Sequence, residues 1–250
     1  MVTPVLVCGR TGTMATLIAN AVRDTADLRF AGHLDLRPTA APDAVDDLVA
    51  ALRAGAPSDG GTPVVVDFTR REGTARLLEA AERTPCALVV GTSGLTDRDH
   101  GLLDRAARRR AVVQAANFSL VLALIRRFVA DLATTLPPTW DAAVVDIHHA
   151  AKVDAPSATA LALARAWGAH RPGGPAHGKA RNGNDAPVSS LRFGDAVSEH
   201  RLLAGGPAEQ IDIGHRVNDR AAFVPGVLAA IRFAGRAAPG RHDLEEALCG

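Results

Sequence analysis

Lysine is nearly missing from this 250-residue chain: of its 28 basic residues only Lys152 and Lys179 are lysines, and the others are arginines. Neither sign of charge is in excess, since 27 acidic residues leave a formal charge of +1. That balance excludes the concentrated positive field that nucleic-acid backbones and anionic membrane surfaces require. No apolar run approaches the roughly eighteen residues of a membrane-spanning helix. Cysteine is scarce and scattered, at Cys8, Cys86 and Cys249. With no CxxC spacing, neither a disulfide framework nor a zinc knuckle is expected, and a reducing cytoplasm is the expected compartment. The opening MVTPVLVCGR lacks a basic n-region and a long apolar h-region, and reads as a strand rather than a secretory leader. Internal repeats and low-complexity tracts are lacking apart from Gly/Pro-rich patches. What is present, 47% hydrophobic and 22% charged residues, describes a globular protein of one large domain or two modest ones.

The first half alternates apolar runs with amphipathic stretches, the pattern of βαβ units. Strands are expected over Pro4–Cys8, Leu28–Leu34, 64–69, 86–94 and 111–118. Helices are expected over Thr13–Val22, Asp43–Leu52, Gly73–Ala81 and Asp99–Arg109, with a Gly/Pro-rich loop from Gly55 to Pro63. Five apolar strands separated by helices make a Rossmann-type, doubly wound parallel sheet. Beyond Phe118 the pattern changes. A helix over Leu120–Thr134 stops before Pro137, WDAAVVDIHH alternates like a half-exposed strand, and Ser157 is placed to cap a helix running to Trp167. Residues 171–187 read as a long loop. The segments VSSLRFGDAV, SEHRLLAG and QIDIGHRV then read as an antiparallel set, before helix over Arg220–Phe233. This second half is an α+β domain with a mixed or antiparallel sheet, one face of which is free to pair with another subunit.

Three features carry chemistry. The strand-turn-helix run VLVCGRTGTMA places Gly9, Arg10, Thr11, Gly12, Thr13 and Met14 where glycines let the backbone approach a pyrophosphate and the helix start supplies free N–H groups. Asp35 ends the second strand about twenty residues on, where a carboxylate accepts the adenine ribose hydroxyls and repels a 2′-phosphate. NADH is thereby favoured over NADPH, with Arg37 offsetting part of that repulsion. Phe68 and Thr69, Gly91, Thr92 and Ser93, and Ala115, Ala116, Asn117 and Phe118 fall at the carboxyl ends of later strands, the rim where such folds bind ligands. Last, DIHHAAKVDAPSATAL packs His148, His149 and Lys152 just before the Ser157 helix start. That grouping suits an anionic substrate that also needs a proton. Adjacent histidines point to opposite faces of a strand and no third ligand is spaced to help them, so no metal site is expected. In a chain that writes its cations as arginine, Lys152 marks a place for a compact, movable ammonium.

With these residues in view, the sequence resembles bacterial dihydrodipicolinate reductases of the diaminopimelate and lysine pathway. The likeness runs from Val5 to about Ile231. It rests on the GxxGxM turn at Gly9–Met14, VVVDFTRREGT, VVGTSG, AANFS, HHxxKxDAPSxTA at 148–160, FGDAVSEH, and DRAAFVPGVLAAIR. The resemblance implies a dinucleotide-binding domain over 1–117 to which 221–250 return, and a substrate-binding and oligomerisation domain over 118–220. It implies that His148 donates a proton, that Lys152 is a second catalytic cation, and that His149 contacts substrate. It further implies that Ser157, Ala158 and Thr159 hold a substrate carboxylate, that Arg220 lies near the hinge, and that the protein is a homotetramer. The expected reaction is NADH- or NADPH-dependent hydride transfer to a cyclic conjugated imine dicarboxylate.

Five positions depart from the family pattern: Ala15 replaces the third turn glycine, Val121 a glycine after NFS, Ala151 a histidine, Ala158 the glycine of the SGT turn, and Gly214 a larger residue. Most cluster toward the substrate. Two other readings therefore stay open at this point: a paralogue reducing another cyclic imine, enamine or unsaturated acid, and a non-catalytic nucleotide-binding subunit.

Overall fold

Apolar runs without a polar break become strands buried on both faces, as a parallel sheet covered by helices requires. The computed structural model describes residues 2–37, 44–56, 62–171, 185–195 and 198–249. It divides into two compact units, Met1–Phe118 with Phe223–Gly250, and Ser119–Ala222. The first unit contains β1 (Thr3–Cys8), α1 (Thr13–Arg23), β2 (Leu28–Leu34), α2 (Ala44–Gly55), β3 (Val64–Asp67), α3 (Arg71–Glu82), β4 (Ala87–Val90), α4 (Asp97–Ala107) and β5 (Ala111–Gln114). The second holds α5 (Leu120–Thr135), β6 (Asp141–His148), α6 (Ala158–Gly168), β7 (Val188–Arg192), β8 (Ser198–Gly205) and β9 (Gln210–Val217). After a 3-10 turn (Arg220–Phe223) the chain returns to the first unit as α7 (Val224–Ala234), β10 (Gly240–His242) and α8 (Leu244–Cys249).

The first sheet is parallel throughout, in the order β10-β5-β4-β3-β1-β2. Its order reverses between β1 and β3, the place where doubly wound sheets open a ligand crevice. A core of Leu6, Val65, Leu77, Leu88, Leu103 and Val112, each at most 2% exposed, fixes the strands under the helices. The returning α7 is tied to this unit by Arg232, which donates two hydrogen bonds to Asp27.

The second sheet is mixed, in the order β7-β6-β8-β9. The three closing strands are not a simple antiparallel set: β8 and β9 pair antiparallel, but β7 crosses to the far side of β6 and runs parallel to it. The long connection between α6 and β7 permits that crossover, which a hairpin would not. Along β6, Val144, Asp146 and His148 are buried and share one face, by the period-two alternation of a strand. α5 and α6 pack in this unit with Leu122, Val129, Leu163, Trp167 and Leu202 in a common core.

Strand ends are shorter than the apolar runs imply. Asp67, Val90 and Gln114 are the last ladder residues, and the DFT, GTSG and AANF segments leave the sheet as turns. β10 and α8 lie beyond the expected helix over Arg220–Phe233; the three residues of β10 carry no apolar pattern by which to read them. Much of the expected loops over 55–63 and 171–187, including Lys179, and residues 196–197 of the VSSLRFGDAV segment lie outside the described residues, as does Asp43. Among the described residues no helix is long and apolar enough to cross a membrane.

Candidate active site

At the rim of the parallel sheet, Gly9 takes φ +81°, a left-handed conformation that glycine adopts without strain. Gly12, in extended backbone, starts α1 without a side-chain cap, and the first turn of α1 holds no acidic residue. Its N–H groups are thus open to an anion. A Cβ on Gly12 would meet nothing within 4 Å, so the turn borders open space. Arg10, Thr11 and Thr13 are exposed beside it and Met14 is half-buried. Backbone bonds from Gly9 to Leu34, from Gly91 to Asp67 and from Ala115 to Val90 bring the successive turns into one row.

Asp35 is exposed at the end of β2 and bound by Arg37, whose Nε lies 3.0 and 2.9 Å from its two oxygens. This pairing, with the Arg37 amide at 3.0 Å, holds the Asp35 carboxyl at about 2, so it stays anionic at neutral pH. The turn after β3 is fixed from beneath: fully buried Asp67 accepts the Thr69 amide and hydroxyl at 2.9 and 2.6 Å and the Thr74 hydroxyl at 2.6 Å. Phe68 packs on Phe118 with ring centroids 5.1 Å apart. A Cβ on Gly91 would fall 2.2 Å from the Phe68 ring, so any larger residue there would displace that ring from its place on Phe118. Thr92 is buried with its hydroxyl unpaired, while Ser93 and Ala116 are exposed and Ala115 and Asn117 half-buried. These residues fit a dinucleotide: an uncapped helix start for the pyrophosphate, a carboxylate for the ribose, and an orphaned hydroxyl at the inner rim.

In the second unit a polar row crosses the mixed sheet. Ser190, Asp146, His200 and His215 are cross-strand partners on β7, β6, β8 and β9. The row meets both helix starts. Ser119 caps α5 by accepting the Leu122 amide and lies 3.2 Å from His215 Nε2. Ser157 caps α6 by accepting the Ala160 amide and lies 3.2 Å from His200 Nε2. Asp146, fully buried, receives at Oδ2 the Ser157 amide at 2.9 Å, the Ser190 hydroxyl at 3.1 Å and the Arg192 guanidinium at 3.0 Å. Its Oδ1 lies 2.7 Å from His148 Nδ1.

Burial lowers the His148 pKa below the usual imidazole value, and the neighbouring Asp146 partly offsets this. His200, more deeply buried, is pushed down to about 4 and is neutral near pH 7. The donor atoms of Asp146, His148 and His200 lie within 4.8 Å of one another. Arg192 already balances the carboxylate, at 3.0 Å from its Oδ2, which favours a proton-bearing network over a divalent cation.

The structure thus brings His148, Lys152 and Ser157 into one neighbourhood around Asp146. Lys152 Nζ is 2.7 Å from Asp154 Oδ1 and its charge is felt at both His148 and His200. Thr159 is buried in the first turn of α6, Ala158 is exposed, and His149 is half-buried beside His148 in sequence. Arg220 is exposed in the 3-10 turn. Sequence reasoning missed Asp146, Arg192 and His200. Asp146 was legible, because residue i−2 of His148 on a strand shares its face. Arg192 and His200 come from other strands, and no local spacing announces them.

Comparison with known proteins bears on both units. The model of the dihydrodipicolinate reductase N-terminus matches residues 3–118, and that of the C-terminus matches 122–248. The chain belongs to the dihydrodipicolinate reductase family. As a member it is an NAD(P)H-dependent oxidoreductase. It is 35% identical to a 4-hydroxy-tetrahydrodipicolinate reductase of Myxococcus xanthus, over 97% of this chain and 96% of the relative. It is 31% identical to one of Burkholderia multivorans, over 98% of each. Among solved structures, the fold is like that of a dipicolinate-bound dihydrodipicolinate reductase from a Paenisporosarcina species, with a TM-score of 0.70 and 21% identity over 98% of this chain and 99% of that one. Likeness over the full length to proteins so named favours the reductase reading over a non-catalytic subunit or a paralogue of other chemistry.

The departures of this reductase from the family pattern are sterically mild. Ala151, Ala158 and Val121 are exposed, so their side chains displace nothing in the second unit's core. A Cβ on Gly214 would sit 4.0 Å from the nearest atom, Arg201 Cγ, so the position accepts glycine without demanding it.

Proposed function

We propose that this protein reduces 4-hydroxy-tetrahydrodipicolinate, by way of its conjugated cyclic imine, in the diaminopimelate and lysine pathway. The carrying observation is that a buried imidazole, His148, lies with an ammonium, Lys152, beside the capped start of α6. In that first turn the Ala160 amide serves the Ser157 cap and the Leu161 amide bonds the Ser157 carbonyl. The amides of Ala158 and Thr159 are left to hold a substrate carboxylate. Lys152 and His149 add positive charge or hydrogen bonds toward the second carboxylate and the ring nitrogen. When bound, the reduced nicotinamide supplies a hydride to the electron-poor ring. His148 then gives its proton to the ring carbon, and the nearby cations stabilise the negative charge that develops before that transfer. Arg220, exposed in the 3-10 turn, would offer a further cation to the anionic substrate.

The nucleotide is NADH or NADPH. Asp35 favours NADH, and Arg37, exposed and paired with it, would offset part of the repulsion of a 2′-phosphate. Support for a cytoplasmic enzyme comes from Cys8 and Cys86, both buried free thiols. A homotetramer built on the mixed sheet is supported by exposed Leu191 and Leu203 on that sheet. The test is a steady-state assay with enzymatically generated 4-hydroxy-tetrahydrodipicolinate. Oxidation of NADH or NADPH is expected; no oxidation of either would remove the assignment.

A further inference from the structure

Asp146 is more tightly built into the second unit than charge balance with Arg192 requires. Its Oδ2 already takes three donors, from Ser157, Ser190 and Arg192. Its Oδ1 is buried and makes no regular hydrogen bond, and neither does His148 Nδ1, 2.7 Å away. The other neighbour of Oδ1, His200 Nε2, stands off at 3.7 Å and is turned to the Ser157 hydroxyl at 3.2 Å. Two buried polar atoms are thus left facing each other. A catalytic hydrogen bond that is off-line in the free enzyme commonly tightens once substrate is bound.

We propose that Asp146 is a positioning residue: Oδ1 holds His148 with the proton on Nδ1, so that Nε2 faces the reaction, and Oδ2 holds Ser157, so that donor and helix start keep one fixed spacing. The proposal rests on the reading of His148 as proton donor. Its geometry follows from β6 itself, where residues 146 and 148 share a face, and from the chain bending back to place Ser157 over the same carboxylate. His200 completes the frame from β8. With Nδ1 protonated toward Ser198, 3.4 Å away, its Nε2 accepts the Ser157 hydroxyl, whose oxygen accepts the Ala160 amide.

Charge makes the role more than mechanical. The charged or titratable groups facing His148 are Asp146 on its own strand, Lys152 in the following loop, Arg192 on β7 and His200 on β8; His215 on β9 lies behind His200. Asp146 is the one anion in this set. Without it, Arg192 opposes protonation of His148 with no carboxylate to answer it, and Lys152 adds to this although Asp154 pairs with it at 2.7 Å. A rate that needs protonated His148 must then fail at lower pH.

The experiment compares Asp146→Asn and Asp146→Glu by kcat, both KM values and the pH profile of kcat. Asp146→Asn is expected to lower kcat on the order of 10²-fold, to leave the nucleotide KM unchanged and to move the basic limb to lower pH. Asp146→Glu, which keeps the charge, is expected to return the limb toward its original position. An unchanged kcat, or a fall with the limb unmoved, would overturn the proposal. If Asp146→Asn does not fold, nitrogen NMR of the wild-type protein decides, with the His148 signals assigned by their loss in His148→Gln. The neutral ring is expected to carry its proton on Nδ1, and a ring protonated on Nε2 would overturn the proposal. The tautomer is read without substrate, so its failure is distinct from a failure to turn over 4-hydroxy-tetrahydrodipicolinate.

Discussion

His148→Gln is expected to lower kcat by roughly 10²- to 10⁴-fold, the range lost when a positioned general acid is removed. Glutamine fills much the same volume and keeps a hydrogen-bonding end near Asp146, but it cannot give up a proton. The nucleotide dissociation constant should be unchanged, because the expected nucleotide ligands all belong to the other compact unit. The pH profile is the sharper measure. Burial holds the His148 pKa below the ordinary imidazole value, so the wild-type kcat should fall as pH rises past that lowered value. In His148→Gln that limb should vanish. Lys152→Ala should also reduce kcat strongly, with the nucleotide again unaffected, since it removes a cation from the same pocket. If both variants turn over at the wild-type rate, proton donation must be assigned elsewhere.

Arg171→Ala is expected to destabilise the protein by about 3 kcal/mol or more, because buried acceptors are left without partners. Arg171 is 6% exposed and donates to the carbonyls of Ala133, Leu136, Pro137 and Trp140, at 3.2, 2.8, 2.8 and 2.8 Å. It also lies over the Trp167 ring, 5.1 Å from its centroid. α5 has no basic residue in its last turn, so this guanidinium, arriving from the end of α6, supplies the positive charge its C-terminus favours. Arg171→Lys should recover only part of the loss, since one ammonium cannot reach four carbonyls in the plane a guanidinium spans. Chemical denaturation read by tryptophan fluorescence measures this directly, Trp140 and Trp167 both lying in that core. A loss under about 1 kcal/mol, the ordinary scale of a single hydrogen bond, would show that water replaces the guanidinium at little cost.

The two residues tested above were not equally visible in the sequence. His148 stands in a dense motif whose residue types already speak of anions and protons. Arg171 reads there as the first residue of a loop, because its importance lies in carbonyls more than thirty residues away. The same contrast holds for the fold. The parallel sheet was legible because VLVC, VVV, LVV and AVV are short, rich in β-branched residues and alternate with amphipathic stretches, the pattern of strands buried on both faces. The position of β7 was not, because whether a short half-polar strand pairs with the following strand or crosses the sheet depends on what its partners leave open. β10, with the sequence GRH, pairs through its backbone and shows no pattern. Asp146 lies between these cases: its alternation with His148 is written in the sequence, but its meaning appears only when Ser157, Arg192 and His200 converge on it.

The central claim is that a nicotinamide hydride and a protein-borne proton reduce a cyclic imine dicarboxylate. Its most direct test is one turnover with nucleotide carrying deuterium in both positions at nicotinamide C4, with 4-hydroxy-tetrahydrodipicolinate in ordinary water, followed by mass analysis of the product. One deuterium per tetrahydrodipicolinate is predicted, the second new hydrogen coming from the protein as a proton. Unlabelled product, or nucleotide left unoxidised in the presence of substrate, would contradict the account.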